Sequence, residues 1–173
     1  MDFFWSFLTV LVSSTAILLT AYFILKNFTE KELHKRKFDV KMKNQQMVTP
    51  IRLQAYERLV LFLERIEPGS VIRRLQHPDM KARQLQSEII TTIRAEFEHN
   101  LAQQIYISQP AWEVVKSAKE NTIRIINEVA DEMNEGASAA EYGTLILTRI
   151  MDIGKSPSEI AVEYLKKEVG QYF

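Results

Sequence analysis

The chain has no cysteine among its 173 residues. That excludes disulfide bridges, a thiolate nucleophile and any thiolate metal site. Glycine is scarce. Gly69, Gly136, Gly143, Gly154 and Gly170 are its five glycines, too dispersed to form a loop that wraps a phosphate. Neither G-x-S-x-G nor H-E-x-x-H occurs. An excess of one charge sign is missing as well. Lys and Arg total 22, Asp and Glu total 22, and the net charge is zero, so no global basic field invites nucleic acid. No proline precedes Pro50 and no glycine precedes Gly69, so nothing punctuates the first quarter of the chain.

That unpunctuated part opens with residues 3–25, FFWSFLTVLVSSTAILLTAYFIL, which carry no charge over 23 residues. A membrane-crossing helix needs roughly 20 apolar residues, so the run predicts a transmembrane helix. A cleaved signal peptide fits less well. No Lys or Arg precedes the run, and Tyr22-Phe23-Ile24-Leu25-Lys26 offers no small-x-small cleavage site. Basic residues follow at Lys26, Lys31, Lys35, Arg36, Lys37, Lys41 and Lys43. Their bias predicts an inner-membrane protein with its N-terminus outside and residues 26–173 in the cytoplasm. The same seven would meet anionic headgroups, or else serve only as the topology signal. Within the run, Ser6, Thr9, Ser13, Ala16 and Thr20 recur at spacings of three and four and share one helix face. Small residues on one face suit helix–helix association, whereas hydroxyls bonded to their own preceding turn would need no partner.

Residues 26–49 read as a polar helical stalk and residues 50–173 as one helical domain. Thr49-Pro50 reads as a helix start, with apolar residues nearly all round the helix up to Ile66. A short turn over residues 70–76 is expected next. Leu85, Ile89, Ile93, Phe97 and Leu101 mark a helix over residues 79–105. Trp112, Val115, Ala118, Thr122, Ile126, Val129 and Met133 mark one over residues 110–134. Ser138-Ala-Ala-Glu141 and Ser156-Pro-Ser-Glu159 are capping boxes, and the helices they open end near Gly154 and Gly170. No hairpin signal occurs. The expected fold is all-α: a transmembrane helix, a stalk and a compact bundle of about five helices.

Chemistry is thin. Glu96-x-x-His99 is half of a di-iron bundle motif, but such a site needs a second copy and two further Glu. On a charged helix the spacing more often marks a water-facing pair. Arg73, Arg74, His77, Lys81 and Arg83 are the best local basic cluster, but a solvated loop between helices explains them better. Arg52, Gln54, Tyr56, Glu57 and Arg58 crowd a mostly apolar helix. They must face water, pair within the bundle or meet a partner. No catalytic residue, metal site or cofactor is assigned.

The segment Pro50-Ile-Arg-Leu-Gln-Ala-Tyr-Glu-Arg-Leu, continuing to Pro68, resembles an uncharacterised bacterial family of small single-pass membrane proteins with a helical domain of unknown function. The resemblance implies the architecture and no activity. The functional expectation is a non-enzymatic, membrane-anchored interaction or scaffold protein, an accessory subunit of a membrane complex being one form of it. Its partners would be the lipid bilayer, other membrane or cytoplasmic proteins and a second copy, with no nucleic acid. The alternative is a tethered helical domain that binds a small ligand or metal.

Overall fold

The computed structural model describes the chain from residue 2 to residue 172. Side chains in parts of the first helix, those of Thr9, Ser13, Ala16 and Lys37 among them, lie outside the described residues. The chain is all-α. Helix α1 runs Asp2–Arg65, α2 Pro68–Leu75, α3 Ala82–Asn100, α4 Gln109–Asp131, α5 Ala139–Ile153 and α6 Pro157–Tyr172, with a 3₁₀ turn Leu101–Ile105 after α3. Among the described residues there is no strand, only an antiparallel bridge between Lys81 and Ser138. The chain divides into two compact units, Met1–Thr49 and Pro50–Phe173.

The first unit corrects the membrane expectation. Among the described residues no helix is long and apolar enough to cross a membrane. This removes the support for a single-pass anchor, for an inner-membrane location and for an outside N-terminus. The run over residues 3–25 is free of charge but not uniformly apolar. Ser6, Thr9, Ser13, Ser14, Thr15 and Thr20 put hydroxyls throughout it, and Ser14 and Thr15 donate back to the Leu11 carbonyl. Of the expected association face, Ser6 and Thr20 are exposed and the other three lie outside the described residues. Lys26, Lys31, Lys35, Arg36, Lys41 and Lys43 are exposed, and Arg36 bonds Glu32 at 2.6 Å one turn away.

Pro50 does not start a helix; it lies inside α1. Proline removes one i→i−4 hydrogen bond, here to the carbonyl of Gln46, but an already formed helix can pass through it. The expected turn over residues 70–76 is likewise helical. Pro68 stands at the first position of α2 and the Glu67 carboxylate accepts from Ser70 N at 2.7 Å, so these residues start a helix. The other starts follow their caps. Ser108 accepts from Ala111 N at 3.1 Å. Ser138 and Glu141 exchange bonds at 3.2 and 2.9 Å, and Ser156 and Glu159 at 3.1 and 2.8 Å.

In the second unit one core joins all six helices. Tyr56, Leu59, Phe62, Leu63 and Ile66 of α1 meet Val71 of α2, Leu85, Ile89 and Ile93 of α3, Val115, Ile126 and Val129 of α4, Tyr142 and Ile146 of α5 and Leu165 of α6. Each such side chain contributes about 1.5–3 kcal/mol on burial. Phe97 links the Phe62 ring (5.8 Å) to the Trp112 ring (5.3 Å), and Lys119 Nζ caps it 4.2 Å from the centroid. At Gly143 a Cβ would stand 3.1 Å from Ile72 Cγ2, so α5 approaches α2 closely where glycine allows it.

Candidate functional site

Residues 50–65 of α1 present two faces. The inner one carries the core residues above. The outer one is centred on Leu61, about 160° round the helix from Leu59 at 100° per residue. Leu61 is 55% exposed. Glu57, Arg58, Glu64 and Arg65 flank it within about 60° on either side, and all four are exposed. The sequence's impression of a helix apolar nearly all round comes from exposed apolar residues: Leu61 stands among these charges, and Ile51 and Leu53 are exposed as well.

Beside this face lies a groove of about 540 Å³ between α1 and α3. Arg58, Leu61 and Arg65 line it from α1, and Thr92, Ala95, Glu96 and His99 from α3. Arg65 Nη1 reaches Glu96 Oε2 at 3.4 Å. His99 Nδ1 is 3.0 Å from the Ala95 carbonyl, the geometry of a ring N–H bonded one turn back. Glu96 and His99 are therefore neighbours on one groove wall, each occupied by a different partner. Among the described residues no three carboxylate or imidazole groups gather where a metal ion could sit.

The polar cluster on α1 separates by face. Tyr56 turns inward and is 2% exposed; Gln54, Glu57 and Arg58 turn outward. Arg52 Nε donates to the Tyr106 carbonyl at 3.0 Å. Glu168 of α6, missed in the sequence, stands beside Tyr56 and is 8% exposed. The Tyr56 hydroxyl and Glu168 Oε2 are buried without hydrogen-bond geometry to each other or to any described group. Burial pushes the Tyr56 phenol above its ordinary pKa, and the Glu168 carboxylate adds to the shift. Glu168 also lines a cavity of about 410 Å³ with Ser108, Tyr164 and Lys167. Nothing in the one-dimensional pattern joins Tyr56 to Glu168, because the helix packing alone brings them together.

In the basic cluster between α2 and α3 the three arginines are spent locally. Arg73 Nε donates to the Gly69 carbonyl within α2, and Arg74 Nη2 to the Arg65 carbonyl at the C-terminal end of α1, each at 3.1 Å. Arg83 reaches Gln86 at 3.0 Å and Asp131 at 3.5 Å.

No curated protein and no solved structure matches this chain. A family described as of unknown function, DUF7935, matches residues 2–172, and the chain belongs to that family.

Proposed function

We propose that residues 50–173 form a protein-interaction module with a scaffolding role and no catalysis of its own. The observation that carries this reading is Leu61, an apolar side chain exposed at the centre of a charged face and beside a groove. The core has no use for it, and an apolar anchor ringed by charges is the usual anatomy of a contact surface. The test is a photo-crosslinking residue at position 61 in the full chain, expressed in cells, with captured proteins identified by mass spectrometry. A defined protein partner captured there, and not from Lys166 on α6, is the expected result. Capture no greater at position 61 than at position 166 would refute the reading.

A second reading has one observation in its favour. Glu168, whose buried Oε2 has no hydrogen-bond partner among the described groups, lines the 410 Å³ cavity and would accept a small ligand with hydrogen-bond donors. Thermal shifts of the full chain against a panel of amines would support it if Glu168→Gln abolished them. An unshifted panel would remove its basis.

A further inference from the structure

We infer that the outer face of α1 is built to pair antiparallel with the same face of a second copy of this chain, about a twofold axis at Leu61. The inference rests on the interaction-module reading and names the partner. Its basis is the order of charges in Glu57-Arg58-Leu59-Val60-Leu61-Phe62-Leu63-Glu64-Arg65. In an antiparallel pair centred on Leu61, each residue meets the one equally far on the other side of the centre. Glu57 then meets Arg65 of the second copy, Arg58 meets its Glu64, and Leu61 meets Leu61. The twofold repeats the first two contacts, so every charge on the face finds its opposite. A face that matches itself under a twofold is what an isologous interface requires.

Within one helix these charges cannot neutralise one another. Ion pairs along a helix form at spacings of three or four. Glu57 and Glu64, like Arg58 and Arg65, are one heptad apart and equal in sign, and no opposite charges in the set are three or four apart. Glu57, Arg58 and Glu64 form no side-chain hydrogen bond or ion pair among the described residues. Arg65 reaches only Glu96, at 3.4 Å. A guanidinium has five donors, so it can hold Glu96 and the second copy's Glu57 together. The α1–α3 groove gives a neighbouring helix room beside Leu61, over the small side chains of Thr92 and Ala95. The contact is short, with one apolar anchor per copy and exposed ion pairs, so the association is weak and reversible rather than obligate.

The absence of cysteine makes the test clean. Leu61→Cys in the full chain introduces its only thiol. Two helices packed at 8–10 Å bring facing Cα atoms to roughly 4–5 Å, within disulfide range. Under mild oxidation Leu61→Cys should form a disulfide-linked dimer at least tenfold faster than Lys166→Cys. In the Leu61→Cys background, Arg58→Glu sets acid against acid, and Glu64→Arg sets base against base. Each should slow crosslinking at least fivefold, with helix content by circular dichroism unchanged. Mixing the two, carrying different tags, restores all four ion pairs and should return the rate, with the mixed dimer as the product. Crosslinking at position 61 no faster than at position 166 would overturn the inference, as would rates indifferent to both charge changes or a mixture that fails to recover. A chain that does not pair with itself but is photo-crosslinked at position 61 to another protein would leave the interaction reading standing and this partner refuted. Absence of both kinds of crosslink would refute both.

Discussion

Tyr142 gives the body its sharpest test, because one hydroxyl should act in opposite directions at two pH values. The ring is fully buried and its hydroxyl donates to the Ile126 carbonyl at 2.6 Å, tying α5 to α4. In Tyr142→Phe the carbonyl keeps its own helical partner, so no buried acceptor is stranded. The loss is one net hydrogen bond, about 0.5–1.5 kcal/mol. Near neutral pH the variant should be less stable by that amount, a fall in melting temperature of about 2–6 °C.

Alkali reverses the comparison. Burial holds the Tyr142 phenol well above its ordinary pKa; Asp131 adds to the shift and Arg83 opposes it. An unfolded tyrosine ionises near pH 10. Above that pH the native state keeps a proton that the unfolded state has released. The stability held by the neutral phenol is complete below pH 10 and is lost as pH climbs toward the raised native value. Each pH unit in that window costs wild type about 1.4 kcal/mol that the phenylalanine variant does not lose. At pH 11 the two proteins should be equal, or the variant the more stable. Urea melts of the full chain at pH 7 and pH 11 read this directly, since lysine titration and Tyr56 affect both proteins alike. A stability difference that stays the same at both pH values would refute the claim that burial keeps this phenol neutral. A variant more stable than wild type at pH 7 would refute the hydrogen bond's net value.

Three further outcomes are expected. Thr122 is fully buried and its Oγ1 has no hydrogen-bond partner among the described groups; Thr122→Val should raise stability by about 1 kcal/mol in a denaturant melt. Ser138→Ala should cost about 1 kcal/mol by uncapping α5. It should also raise the Glu141 pKa, which bonds from the Ser138 backbone N–H and hydroxyl hold below the ordinary carboxylate value. In wild type that contribution is complete above the ordinary carboxylate range and is lost as pH falls through the depressed value, which a carboxyl NMR titration would follow. Gly154 ends α5 at φ +89° with open space around a would-be Cβ, so Gly154→Ala should cost about 1 kcal/mol or more through backbone strain alone, read as a lowered melting temperature.

Local signals in the sequence carried furthest. Ser138 and Ser156 each cap the helix expected of them, because a cap needs only its own next three residues. Proline was harder, since one residue can start, stop or interrupt a helix. Pro50 lies inside α1 and Pro68 opens α2, and the local sequence does not separate these uses. The four-residue stripe expected on α3 is buried at Leu85, Ile89 and Ile93 and half-buried at Phe97, while Leu101 lies beyond α3, in the 3₁₀ turn, and is exposed. The N-terminal run, expected to cross a membrane, finds no support among the described residues, where no helix is long and apolar enough.

The site was legible only as fragments. Glu96 and His99 were visible as a spacing, but their partners are Arg65 and the Ala95 carbonyl, and only the packing of α1 against α3 supplies the first of these. Tyr56 was one of a polar group whose division between inside and outside follows from helix phase. Its meeting with Glu168 requires the whole bundle.

Leu61 shows why the remaining step needed structure. By composition, the helix from Pro50 to Ile66 has more apolar residues than one core face can use. Two explanations are open to such a helix: it is wrapped on all sides, or the surplus faces outward for a reason. A wrapped helix would bury Leu61 and leave the four flanking charges without solvent, at a cost of several kcal/mol per unpaired charge. The fold takes the other course. The core claims Leu59, Phe62, Leu63 and Ile66 and leaves Leu61 in the open with its charges. Once that is fixed, the arrangement of the charges becomes informative. Alternation at three or four residues would have marked a face that neutralises itself in water. Equal signs at seven, with opposite signs mirrored about the leucine, leave a face whose electrostatic complement is its own reverse.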